Sequence, residues 1–232
     1  MKTIISDLPS VHTLAAQEIA ALVAEKPDAV LAFAVGRTMQ PLFAELARLC
    51  GEGGLSLSQA RLFAVTEFED APEELSCRRA LESGLLAVTD LRAENCRFLT
   101  REKLESYDDE IAAAGGLDLA VLGLGVDAHI GFNEPATPYA SRTHRQKLTG
   151  RTRRQYAALF GSEEAVPAYG YTMGILTLVE AKHILVLATG EEKARAAFQM
   201  LYARDDSYIP AAFLQLPLNV TVFLDSKAAR DV

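Results

Sequence analysis

An α/β fold, with a mostly parallel sheet and helices on both faces, is what this sequence predicts. Three observations carry that reading. Short apolar runs alternate along the chain with amphipathic stretches at helical spacing. Several runs end at a glycine and pass into a polar loop before the next helical pattern, as strands do when a helix follows. One run, Leu119 to Leu124, carries no charge, the signature of a strand covered on both faces.

Val11 to Glu25 repeats apolar residues at helical spacing, and Lys26-Pro27-Asp28 ends it because proline breaks a helix. Ala29 to Val35 is short and apolar, so it reads as a buried strand; it breaks at Gly36-Arg37-Thr38 before an amphipathic helix over Pro41 to Leu49. Arg61 to Val65 is the next strand, followed by an acidic patch from Glu67 to Glu74 and a helical stretch from Leu75 to Val88. Asn95 to Leu99 has strand character. Glu102 to Ala114 is a charged helix stopped by Gly115-Gly116, and the central strand, Leu117 to Leu124, begins there.

Arg142 to Arg154 is the one basic concentration and reads as a solvated helix start and loop. Gly170 to Leu178 then gives a strand and a helical turn, His183 to Thr189 a strand, Glu191 to Ala203 a helix, and Asn219 to Leu224 a last strand. Neither repeat nor linker divides the 232 residues, so one domain is expected. Short connections between the units favour parallel strands.

Composition narrows the function classes. A formal net charge of −8 leaves no basic excess to neutralise a nucleic-acid backbone, although a few local cations can still hold a small anion. No apolar run reaches the roughly 18 residues that span a bilayer. MKTIISDLPS lacks the apolar core of a signal peptide, so a cytoplasmic protein without a membrane partner is expected. Cys50, Cys77 and Cys96 match no zinc or redox spacing and read as reduced, packing thiols.

The chemistry-bearing residues cluster after the central strand. Asp127 and His129, two apart, project to one side if the chain stays extended beyond Gly125. A carboxylate beside an imidazole fixes its tautomer, which makes an acid/base pair, and Glu134 before Pro135 offers a second carboxylate. An Asp-x-His in a loop is often merely structural; a place at the carboxyl end of a buried strand favours function. A metal would compete for these groups, but the other histidines, His12, His144 and His183, are not spaced to help, so neither metal nor other cofactor is expected. Gly36-Arg37-Thr38, at a strand-to-helix turn, offers backbone N–H groups, a hydroxyl and a guanidinium to an anion. Lys193 follows a later strand in the same way, so two loops of one sheet can converge on one anion.

GVDAHIGFNEP (Gly125 to Pro135), followed by ASRTHRQKLT (Ala140 to Thr149), resembles the glucosamine-6-phosphate deaminase/isomerase family, whose usual pattern is G-x-x-G-H-I-A/G-F-N-E-P and then S-R-T. VGRTMQPLFAEL is similar to the sugar-phosphate loop of that family, and TGEEKARA to its lysine loop. The tail YIPAAFLQLPLNVTVFLD, with KPDAVLAFAVG and GGLDLAVLGLG, also resembles the galactosamine-6-phosphate isomerase branch. The resemblance covers most of the chain. It implies a Rossmann-like α/β fold and a metal-free reaction on an amino-sugar 6-phosphate: ring opening, isomerisation to the ketose and loss of ammonia. By the same resemblance His129 opens the ring, Asp127 and Glu134 flank it, Gly36 and Thr38 lie in the phosphate loop, and Lys193 pairs with the phosphate. A small phosphorylated sugar is then the partner, and a homo-oligomer is compatible.

Three departures from the pattern bear on function. Where the family has Asp-Glu and an aromatic residue, its Asp taking the C2 proton, this chain has Thr66-Glu67-Phe68. Threonine is no general base near neutral pH, so Thr66 is expected to contact substrate while Glu67 or Glu69 substitutes as base. Arg37 stands where a small residue is usual, either adding charge to the phosphate loop or blocking it. An arginine commonly used for phosphate falls on Ala158. The leading expectation is an amino-sugar-6-phosphate deaminase/isomerase of altered substrate. The alternatives are a 6-phosphogluconolactonase-like hydrolase, which needs no C2 base, and a sugar-phosphate-binding homologue without catalysis.

Overall fold

The computed structural model describes residues 1–204 and 208–232. In chain order the elements are β1 (Lys2–Ser6), α1 (Leu8–Glu25), β2 (Val30–Phe33), α2 (Met39–Gly51), β3 (Arg61–Ala64), β4 (Thr66–Phe68), α3 (Cys77–Gly84), β5 (Cys96–Arg97) and α4 (Tyr107–Ala113). There follow β6 (Leu119–Gly123), β7 (His144–Lys147), α5 (Gly150–Phe160), β8 (Tyr169–Thr172), α6 (Ile175–Val179), β9 (His183–Ala188), α7 (Ala194–Tyr202) and β10 (Val220–Asp225). Among the described residues no helix is long and apolar enough to cross a membrane.

The main sheet runs β1-β10-β9-β6-β2-β3-β5, with every neighbouring pair parallel. Its strands are apolar at consecutive positions because each face meets a separate core. Leu31, Phe33, Leu119, Val121, Leu185, Leu187 and Phe223 point into one core with α1, α2 and α3. The alternate residues Val30, Ala32, Ala120, Leu122, Ile184, Val186, Val222 and Leu224 point into the other with α4, α6 and α7. The α/β expectation therefore holds, with helices on both faces.

Local chemistry trims several predicted elements. Ser76 accepts a hydrogen bond from Arg79 N (3.0 Å), capping α3, so that helix starts after Leu75; a separate 3-10 turn, Leu86–Val88, follows. The segment from Glu102 divides into a 3-10 turn, Arg101–Lys103, and α4. β1 was not expected at all: its alternation is short and half-exposed, and parallel pairing with β10 makes it a strand. In the basic stretch from Arg142, read as a helix start and loop, the helix start is that of α5, and the loop is corrected to strand β7.

A second, antiparallel sheet, β4-β8-β7, was not expected either. The chain crosses into it at Val65, whose N–H still donates to Phe33 O in the main sheet (3.1 Å) while its carbonyl accepts from Met173 N (2.9 Å). Thr66 is thus the first residue of the small sheet, opposite Thr172.

Asp118 ties the opposite, amino-terminal edge together. It is 4% exposed, and its carboxylate accepts from Lys26 Nζ (2.6 Å), Lys182 Nζ (2.7 Å) and Val30 N (2.8 Å). Burial alone would raise its pKa; the two ammonium groups and the amide outweigh burial and lower it. A folded-state pKa below the unfolded one contributes stability above the unfolded value, and that contribution is lost as pH falls through the folded one. Asp118→Asn is expected to cost about 1–3 kcal/mol near neutral pH, read as a lower melting temperature, with the gap to wild type closing in acid.

Candidate active site

Strand β6 is bonded to β2 on one side and β9 on the other, and all three run parallel. From β2 the chain builds outward through β3 and β5, and from β6 it builds the other way through β9 and β10. Loops leaving the carboxyl ends at such a reversal diverge and open a crevice. Those loops hold Gly36-Arg37-Thr38, Asp127 with His129, and Lys193.

The loop after β6 closes on itself. Gly125 N donates to His129 O (2.9 Å) and Ala128 N to Gly125 O (3.0 Å), while Ala128 adopts φ 61°. Left-handed alanine costs roughly 1–2 kcal/mol, and this one is held in place by burial and by Ala211 N donating to its carbonyl (2.9 Å). Asp127 and His129 therefore meet across a turn, which corrects the expectation of an extended chain. Asp127 Oδ1 lies 2.6 Å from His129 Nδ1. Beneath the ring is Gly125, where a Cβ would stand 2.5 Å from both Cγ and Cε1 of His129.

Burial by itself would raise the Asp127 pKa, but the hydrogen bond and charge of His129 outweigh it and hold the carboxyl below its ordinary value. Ionised Asp127 fixes the proton of His129 on Nδ1 and leaves Nε2 for chemistry.

Glu134 is 2% exposed and completes the group: donor atoms of Asp127, His129 and Glu134 lie within 4.8 Å of one another. Its backbone is fixed by Asn133, whose Nδ2 donates to Ile130 O and Met173 O (2.9 Å each). Its carboxylate accepts from Thr149 N (2.9 Å) and Thr149 Oγ1 (3.2 Å). Thr149 also caps α5 through Thr152 N (3.2 Å), so Glu134 anchors that helix. Sequence reasoning missed Thr149; a threonine directly before a helical pattern, a capping signal, was the available clue.

One histidine and two carboxylates can also hold a divalent cation. Here Asp127 and His129 are bonded to each other and Glu134 is bonded to Thr149, an arrangement complete in protons alone. Treatment with a chelator is therefore expected to leave turnover unchanged, and activity restored only by added divalent metal would contradict this.

Thr66 and Glu67 sit otherwise than expected. Thr66 is 5% exposed and turns its hydroxyl to Cys77 Sγ (3.6 Å). The carboxylate of Glu67 accepts from Phe68 N, Cys77 N and Arg78 N, each at 2.8 Å, closing the first turn of α3. Burial nevertheless raises its pKa against those three N–H groups. Both oxygens are committed to backbone, which corrects its expected place among the acid/base groups. Glu69 is likewise committed, to Arg145 (2.8 and 2.7 Å) and Tyr171 (3.0 Å).

The two expected cations do converge. Lys193 is 8% exposed and forms no ion pair among the described residues. Burial pushes its pKa down; Glu192 opposes this, Arg37 adds to it and Asp127 opposes it, so all three charges are neighbours of the ammonium. Thr38 precedes α2 without bonding its hydroxyl to the helix, and Gly36, at φ 136°, leaves open space where a Cβ would be. Ala158 is exposed on α5.

The family described as glucosamine-6-phosphate isomerases/6-phosphogluconolactonase matches residues 8–223. The chain is 33% identical to a glucosamine-6-phosphate deaminase of Clostridium acetobutylicum, covering 97% of each protein. It is 38% identical to one of Streptomyces avermitilis, covering 97% of this chain and 90% of the relative. In structure it superposes on a monomeric glucosamine-6-phosphate deaminase with a TM-score of 0.96 at 30% identity, over 100% of both chains. A 6-phosphogluconolactonase of Thermotoga maritima shares the fold, with a TM-score of 0.75 at 21% identity over 97% of this chain and 98% of that one.

Proposed function

The chain belongs to the family of glucosamine-6-phosphate isomerases and 6-phosphogluconolactonases, and from that premise we propose that it converts an amino-sugar 6-phosphate and water into the ketose 6-phosphate and ammonia. The observation that carries the reading is the buried His129–Asp127 pair at 2.6 Å with Glu134 beside it. Lys193 and the start of α2, with Gly36 and Thr38, receive the phosphate at one end of the crevice. The sugar ring then extends toward His129. Its Nε2 takes the proton of the O1 hydroxyl and returns one to the ring oxygen, so the hemiacetal opens to the aldehyde without net proton change. Asp127 stabilises the imidazolium formed between the two transfers.

Isomerisation next moves a proton from C2 to C1 and one from the amine to O1, which leaves an imine at C2 that water hydrolyses to the ketone and ammonia. Thr66 cannot remove the C2 proton and Glu67 is held by three backbone N–H groups, so the task falls to Glu134. Its second oxygen, among the described residues, accepts only from the Thr149 hydroxyl (3.2 Å), a donor that rotates away without breaking backbone structure. The reading places the reaction in the cytoplasm, since phosphorylated sugars do not cross membranes unaided.

A thermal-shift screen of phosphorylated sugars, followed by an ammonia assay on those that stabilise the fold, tests the proposal. Ammonia released from glucosamine or galactosamine 6-phosphate supports it. Thr66 favours one second reading, a phosphosugar lactonase, because lactone hydrolysis moves no C2 proton; acid release from 6-phosphogluconolactone without ammonia would establish that instead. Tight binding with neither product would leave a binding protein.

A further inference from the structure

The anion end of the crevice carries more charge than one lysine. Lys193 follows β9 and Arg37 follows β2, and both strands flank β6, so their ends stand about 10 Å apart, two strand spacings. Side chains as long as lysine and arginine can span that gap to a shared oxyanion, and the Arg37 charge is felt at the Lys193 ammonium. Lys193 is 92% buried and Arg37 is exposed, and among the described residues neither forms an ion pair. Two carboxylates crowd the same place. Asp127 belongs to the imidazole pair. Glu192 is folded back over Gly190, which has φ 95° and where a Cβ would stand 2.5 Å from Glu192 Oε2.

Without Arg37 the pocket would hold one cation against two carboxylates and repel a dianion. With it the charges balance before the ligand arrives, and two cationic donors face the phosphate. We infer that Arg37 is a specificity-determining residue, the charge that offsets Glu192 and admits a phosphate monoester at the Lys193 site. The inference rests on the reading that this end of the crevice takes the sugar 6-phosphate. It decides between the two roles open to Arg37, adding charge or blocking the loop, in favour of the first. The planar fork suits paired phosphate oxygens.

Calorimetric titration with glucosamine 6-phosphate and with inorganic phosphate tests it on wild type, Arg37→Ala, Arg37→Lys, Glu192→Gln and the Arg37→Ala/Glu192→Gln double variant. Arg37→Ala is expected to weaken both probes about tenfold, Arg37→Lys by less than about threefold, and Glu192→Gln to tighten them about threefold, by the energy of a partly exposed charge pair. The double variant returns toward wild type. Because Arg37 is exposed, its effect shrinks as salt rises from about 20 to about 200 mM, which a structural role would not show. Equal or tighter binding by Arg37→Ala overturns this inference and leaves the deaminase reading standing. Failure of wild type to bind either probe overturns both.

Discussion

Gly125→Ala is expected to lower kcat by about a thousandfold while leaving the protein folded. The added methyl would stand 2.5 Å from Cγ and Cε1 of His129, and the ring cannot yield freely because Asp127 holds its Nδ1. The imidazole must turn off its partner or the loop must shift, and either displaces the reacting nitrogen by the order of an ångström. Such a displacement costs about a hundredfold, and loss of acid/base help adds to it. Overpacking should lower stability by only about 1–3 kcal/mol, so the variant is measurable as a folded enzyme. Gly123→Ala is the control: a Cβ there meets only Met39 Cε at 3.7 Å, an ordinary contact. Equal losses at both positions would mean that strand β6, and not the imidazole, is what alanine disturbs.

Asp127→Asn should cost about 10²- to 10⁴-fold in kcat with little change in shape, since it removes charge and acceptor geometry from His129 alone. An asparagine can present its amide N–H to Nδ1 and favour the wrong tautomer. The pH dependence separates this from a fold defect. The Asp127 carboxyl titrates below its ordinary value of 3.8, so it is ionised throughout the neutral range and its contribution to stability is present above that value. That contribution is lost only as pH falls through the lower folded-state pKa. Wild type and Asp127→Asn should accordingly converge in acid stability while differing in turnover at pH 7. A variant that keeps wild-type turnover would remove the imidazole pair from the mechanism.

What could be read in the sequence divides by the range of the interaction. Leu119–Gly123 was legible as a strand because burial on both faces leaves no alternative to a continuous apolar run. Asp127, His129 and Glu134 were legible as a group because they follow that strand within one loop. How Asp127 and His129 meet was not, since a left-handed Ala128 is imposed by tertiary contact with Ala211 and contradicts its own propensity. Strand β7 was hidden because its residues, His144–Lys147, are polar and become a strand only by pairing with β8. Glu67 read as an available carboxylate, and only the arrival of α3 ten residues later, whose Cys77 and Arg78 N–H groups join that of Phe68, removes it from the chemistry.

The apolar residues beneath α5 form a cluster of their own, Phe68, Cys77, Phe132, Leu148 and Val166, edged by Tyr156 and Phe160 and separate from the two cores of the main sheet. A cluster this small closes off far less apolar surface than either core, whereas β8 also packs into a main core through Tyr171, so α5 with its flanking loop is expected to open below the free energy of global unfolding. Native-state amide exchange should therefore proceed faster over α5 and that loop than over β6 and β9. Glu134 stands between this cluster and the main core, next to Asn133, which donates to Met173 O, and itself accepting from Thr149 N. The carboxylate proposed as the base is thus also the tie that holds the start of α5, and a ligand that draws on it is expected to change how often that helix opens.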